Sequence, residues 1–292
     1  IIVFVVFMIF YFLDTYSIKN QLSHKYIKAS LVFGLISCIG TFVLAYNMMT
    51  KNYDQTQYLA SVYWYLHFQY NGWFLFSIFG LMHHLFERRD IILPFQNMIF
   101  WLLVLSCLPT YGLSVLWLKL PIVLYIFTVV AALVQWGAWL ILGKNLLTFP
   151  SLWSQYNSLN KLLLWVVGLA FTFKITLQLV SVHPALSQLA FGYRNIVIAY
   201  LHLCLLAITT VFLFAYGKIN HMLHTTTLVD KSLKSIVFLI VTTEVILGVQ
   251  GVLSLSYTNL PLFKEMMFGA SLLLSITALT LLIGHYRKSS NI

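Results

Sequence analysis

The stretch IVIAYLHLCLLAITTVFLF, residues 196–214, decides the architecture. It is apolar without alternation, and its length is close to the roughly 20 residues that a helix needs to cross a hydrocarbon core about 30 Å thick. Only helices and closed barrels satisfy every backbone N–H and C=O inside a bilayer, and a barrel strand would alternate in polarity. The stretch therefore reads as a spanning helix. It also contains His202 in a Tyr-Leu-His tripeptide that occurs once more, at residues 65–67 of YLHFQYNGWFLF (65–76). Whatever accounts for His202 should account for His67.

Working outward, the composition agrees. The chain is 61% hydrophobic and 8% charged, against about 25% charged in soluble globular domains, so it has too little polar surface to coat a soluble globule. Nine apolar runs are expected as helices, at about 1–13, 29–49, 59–86, 92–117, 121–142, 162–182, 195–217, 234–254 and 264–285. The expected fold is all-α, a polytopic integral membrane helical bundle of about 8–9 transmembrane helices forming a single domain over 1–292. The first run is short and no initiator Met precedes it, so an incomplete N-terminus is expected.

The basic residues give an orientation. Lys19, Lys25, Lys28, Arg88, Arg89, Lys144, Lys161, Lys218, Lys231, Lys234, Arg287 and Lys288 follow odd-numbered runs, and only Lys51, Lys119, Arg194 and Lys264 follow even-numbered ones. The positive-inside rule makes the first set, and the C-terminus, cytoplasmic. The net charge of +10 is then a topology signal rather than a nucleic-acid footprint. The charge bias fits a bacterial inner membrane. Cys38, Cys107 and Cys204 lie in separate apolar runs without CxxC spacing, so neither a disulfide framework nor a zinc site is indicated.

His67 and His202 both lie about 12–13 Å below the outer boundary, at 1.5 Å of rise per residue. Ionisable groups inside spans usually face the protein interior and mark function. Two imidazoles at one depth on parallel helices can clamp a planar ligand, and a bis-histidine haem is the commonest. The competing reading is that each hydrogen-bonds a neighbouring helix. Ala199 and Ala207 beside His202, and Gly72 and Ser61 near His67, offer room for a macrocycle edge. Trp64, Trp73, Phe74 and Phe76 can wall it, or belong to the core or the lipid face. Arg194, two turns above His202, is placed to meet propionates or to serve as an interfacial anchor.

LHFQYNGWFLFSIFG (66–80) resembles the second helix of the catalytic subunit in the haem-copper oxidase and nitric oxide reductase superfamily, and 196–214 resembles the helix of that superfamily that carries a His-x-His-Leu pair. The resemblance implies that His67 and His202 are the axial ligands of a low-spin haem b. It places Tyr200 where the family has the histidine of its high-spin haem. The family also separates its two motif helices by more helices than the three found here, and its copper or non-haem iron ligands have no counterpart. The implied protein kept a low-spin haem and lost the reducing centre.

Lys174 and Glu244 are the deep cation and carboxylate, near one depth on runs six and eight, and an ion pair or proton relay is expected of them. Thr172, Gln178, Thr243 and Gln250 are alternative partners. His83 and His84, beside Glu87, Arg88 and Arg89, read as interfacial. His183-Pro184 reads as a helix terminator. His24, His221, His224 and His285 read as solvated, with His221-x-x-His224 a weak metal spacing. Gly248, Gly251 and Gly269 read as close-packing sites.

Three functions follow. The first is a b-type haem protein embedded in the lipid bilayer, with iron held by His67 and His202. It would act in electron transfer or as an accessory subunit of a respiratory or nitrogen-oxide-handling complex, with a redox partner on the outer side or other membrane subunits. It is a non-catalytic subunit more readily than an oxidoreductase. The second is an ion-coupled transporter or channel using Lys174 and Glu244. The third is a cofactor-free accessory subunit.

Overall fold

The computed structural model describes residues 1–18, 21–51 and 54–289, with the side chains of 151, 189–191 and 287–289 outside the description. Lys19 and the side chains of Arg287 and Lys288, which enter the orientation argument, thus lie outside it. Every element among the described residues is helical. In order these are α1 (Ile2–Asp14), α2 (Leu22–Met49), α3 (Gln55–His67), π1 (Phe68–Phe74), α4 (Leu75–Glu87), α5 (Gln96–Cys107), α6 (Tyr111–Ser114) and α7 (Ile122–Thr148). They continue with α8 (Pro150–Ser154), α9 (Ser158–Val180), α10 (Pro184–Gly192), α11 (Arg194–His202), π2 (Leu203–Thr210), α12 (Val211–Ile219), α13 (Thr227–Leu255) and α14 (Phe263–Ser289).

Among the described residues, seven helices are long and apolar enough to cross a membrane: Leu22–Met49, Gln96–Ser114, Ile122–Thr148, Ser158–Val180, Arg194–Ile219, Thr227–Leu255 and Phe263–Tyr286. The two remaining apolar runs are helical as well. Run one is the short apolar α1, and run three lies in the unbroken rod α3–π1–α4, about 50 Å long at helical rise. Large apolar side chains stay exposed along every span, among them Phe42, Leu105, Phe127, Leu169, Leu213, Val245 and Leu272. In water such a surface would be unstable, and in lipid it needs no cover.

Contacts cluster in two compact units, one made of 1–149 with 178–184 and the other of 150–177 with 185–292. In the first, α2 lies along the rod through glycines on both helices. A Cβ on Gly40 would stand 2.6 Å from the Ser61 carbonyl oxygen, and one on Gly72 would stand 2.5 Å from the Cβ of Phe33. The bare Cα atoms let the two backbones approach to where Trp64 Nε1 donates to the Ile36 carbonyl at 2.8 Å. At the far end of the rod, Glu87 accepts from the backbone N–H of Ser23 at 2.9 Å and from its hydroxyl. Asp54 caps α3 by accepting from Thr56 N–H at 2.9 Å.

In the second unit, α13 is capped by Thr226, whose hydroxyl accepts from Val229 N–H at 3.2 Å. The turn into α14 is held by Gln250, which accepts from Leu260 N–H at 2.8 Å and donates to Asn259 Oδ1 at 2.9 Å. Asn195 at the head of α11 donates to Ser254 on α13 at 3.0 Å. Gly251 accepts the close approach of Ile196, 3.3 Å from the position of a Cβ. Gly248 and Gly269 have nothing within 4 Å, so the packing role expected of them falls in this unit to Gly251 and Gly284.

Candidate functional site

The two Tyr-Leu-His histidines belong to different units, and each has a built surrounding. His67 is buried, 3% exposed, at the end of α3. Its Nε2 donates to the Cys107 carbonyl at 2.9 Å, and its Nδ1 faces Asn71 Nδ2 at 3.2 Å and Ser114 Oγ at 3.4 Å. A proton on Nε2 and a lone pair on Nδ1 satisfy all three contacts, which is the pattern of a neutral ring. The network continues outward. Gln178 Nε2 approaches Asn71 Oδ1 at 3.5 Å, Thr110 donates to the same Cys107 carbonyl at 3.0 Å, and Gln135 donates to Thr110 at 3.3 Å. Asn71 lies one helical turn beyond His67, a spacing visible in the sequence. Ser114, the Cys107 carbonyl and Gln135 come from other helices and carried no local signal. Gln178, expected near Lys174 and Glu244, reaches this network.

His202 ends α11 with less cover. Its Nδ1 stands 3.9 Å from Glu244 Oε1 on α13, and their side chains are 34% and 17% exposed. Both atoms are themselves buried and neither has a hydrogen-bond partner. Glu244 therefore faces an imidazole rather than the lysine expected of it. Lys174, on α9, is 2% exposed, with its ammonium 5.5 Å from the centre of the Phe171 ring. It shares a neighbour with the carboxylate, because the Cys204 thiol lies within electrostatic reach of both Lys174 and Glu244 and shares a hydrogen bond with Tyr200. The alternative partners of Lys174 and Glu244 make hydrogen bonds of their own. Thr172 donates to Gly168, Thr243 donates to Ile240, and Gln250 holds the α13–α14 turn.

A feature common to the two histidines was not anticipated. His67 immediately precedes π1 and His202 immediately precedes π2. A π segment is wider than an α-helix and leaves carbonyls poorly served, and such segments gather at functional sites. In π2 the cost is offset locally, since Thr209 donates to the Cys204 carbonyl at 2.8 Å and Thr210 to the Leu205 carbonyl at 2.9 Å. In π1 the Asn71-Gly72 pair performs two tasks. Asn71 turns to His67, and Gly72 admits Phe33. The space beside Gly72 is thus filled by protein and is not room for a macrocycle.

The remaining expected residues are placed as follows. Trp73 packs edge-on against Phe4 at 5.1 Å and beside Gly34. Trp64 and Phe76 belong to the aromatic core, against Phe68 and Tyr111 and against Tyr26 and Phe33 respectively. Ala199 and Tyr200 are half-buried on α11, Ala207 is buried in π2, and Arg194 is exposed at the first position of α11. His83, near the Glu87 end of the rod, is packed inside protein. It is 2% exposed, stacks on Tyr26 at 4.8 Å and donates from Nδ1 to the Phe79 carbonyl at 2.8 Å. Helix α9 ends at Val180 and α10 begins at Pro184, so His183-Pro184 breaks the helix as expected.

For a haem, the fit differs between the two histidines. A metal-bound histidine turns its other nitrogen to a carboxylate or carbonyl, and His202 Nδ1 toward Glu244 leaves Nε2 for a ligand. At His67 the open nitrogen, Nε2, is spent on Cys107, and Nδ1 lies beside the ring's own Cβ and backbone. An axial bond from His67 would replace the Cys107 hydrogen bond. No family model, curated protein or solved structure matches the chain.

Proposed function

We propose that this integral membrane protein handles protons, alone or coupled to a solute, through His202, Glu244 and Lys174. The observation that carries the reading is the His202–Glu244 gap. Two titratable atoms in adjoining spans face each other at 3.9 Å, buried and lacking hydrogen bonds. A charged group costs about 2.5–3.5 kcal/mol at the centre of a spanning helix on insertion scales, so such groups persist where they serve function. One proton placed between imidazole and carboxylate turns this gap into a charge-assisted hydrogen bond, and its removal opens the pair again. Lys174 is a further titratable group, acting electrostatically on the same Cys204 thiol that Glu244 acts on.

The test is purified protein in liposomes carrying an entrapped pH dye, with an imposed membrane potential. Wild type is expected to move protons, and Glu244→Gln to move them at least tenfold more slowly. Equal rates in wild type, Glu244→Gln and His202→Gln would remove the proposal.

The second reading is ligation of haem b by His67 and His202, as the family resemblance implies. It is favoured by the matched position of both histidines at the start of a π segment and by the orientation of His202 Nδ1. Haem would supply one-electron chemistry, and this chain would supply ligation and Glu244 as the orienting carboxylate. A haem spectrum lost in His202→Ala would establish this second reading, and a colourless protein from a haem-replete host would eliminate it.

A further inference from the structure

The loop between α12 and α13 meets the end of α14 through two histidines that neither reading uses. Gly284 allows the approach. A Cβ there would stand 3.1 Å from Leu228, so α14 packs directly on the first turn of α13. The next residue, His285, reaches the loop. Its Nδ1 accepts the backbone N–H of His224 at 3.4 Å, and the two imidazoles lie 4.7 Å apart with their planes inclined by 30°. Both are half-buried, in contrast to the solvated state expected of them, whereas His221 is exposed.

Only a ring with a bare Nδ1 accepts that N–H. A proton added at Nδ1 sets two donors against each other and, once His224 is also charged, two cationic rings 4.7 Å apart. The other titratable groups on the elements that meet here cannot substitute for this proton. Asp230 is held by Lys218 at 2.5 Å, Tyr286 packs edge-on against His285 at 5.6 Å, and His221, Lys231 and Lys234 add positive charge or none.

We infer that His285 and His224 form an acid-released latch, in which neutral His285 pins the backbone of loop 220–226 to the end of α14 and protonation frees it. The release loosens the connection between α12 and α13.

Amide hydrogen exchange of the intact protein, corrected for intrinsic rates, tests this at pH 7.5 and 5.5. Protection of residues 220–226 is expected to fall about tenfold at the lower pH, with the middle of α13 unchanged. In His285→Gln, whose amide oxygen accepts at either pH, the protection should not depend on pH. Unchanged wild-type protection would overturn the inference, as would an equal loss in His285→Gln. Should that variant not fold, the wild-type comparison decides alone.

Discussion

At the residue scale, a buried polar group in lipid is defined by its partner, and the two histidines make different uses of theirs. Both ring nitrogens of His67 meet neutral hydrogen-bonding groups, so its removal acts on stability. His67→Phe breaks the bond to the Cys107 carbonyl and strips Asn71 of an acceptor, while Thr110 keeps the carbonyl partly served. The expected loss is about 2–3 kcal/mol, read as a lowered midpoint of unfolding in detergent; an unaltered midpoint would show that the network carries no stability. Glu244 behaves in the opposite sense. Glu244→Gln puts a donor against His202 Nδ1 and should leave stability equal or higher while flux falls. The residues legible in advance were those whose chemistry stands out against lipid: His67, His202, Lys174 and Glu244. Their pairing was not legible. Depth along a helix follows from counting residues, whereas facing depends on the rotation of each helix about its axis.

At the element scale, the helix ends show how little charge is needed to close a membrane hairpin. The Lys218 side chain at the end of α12 is 1% exposed and its partner Asp230, in the first turn of α13, is 40% exposed. Removing the carboxylate abandons a buried cation, and removing the cation leaves an acid that water can reach. Asp230→Ala is therefore expected to cost about 3 kcal/mol, and Lys218→Met about 1 kcal/mol or less. Chemical denaturation of both variants checks this, and equal costs would contradict the asymmetry. The π segments belong to this scale too. Asn-Gly inside a spanning helix at 71–72 and the Thr-Thr pair at 209–210 stand at π1 and π2. Neither pair signals a π segment by itself, because the wider turn is stable only where neighbours such as Phe33 fill its flank.

For the whole molecule, charge asymmetry predicts orientation. With Cys38, Cys107 and Cys204 replaced, a cysteine at Asp54 should react with an impermeant maleimide from the outer face, and one at Arg89 from the cytoplasmic face. The reverse pattern would invert the molecule, and labelling from one face would show that the rod α3–π1–α4 does not cross.

The sequence by itself determined an all-helical membrane protein and the runs that become its helices. That much rests on the length of each apolar run and on backbone groups that have no solvent to bond, and both are local properties. Only the tertiary structure decided that Glu244 meets His202, that His67 is held by Cys107 and Asn71, that His83 is buried, and that both Tyr-Leu-His motifs lead into π-helix. Those outcomes depend on which faces adjoining helices turn to each other. Where lipid and protein are equally apolar, hydrophobicity does not choose a face, and glycine contacts and single hydrogen bonds do.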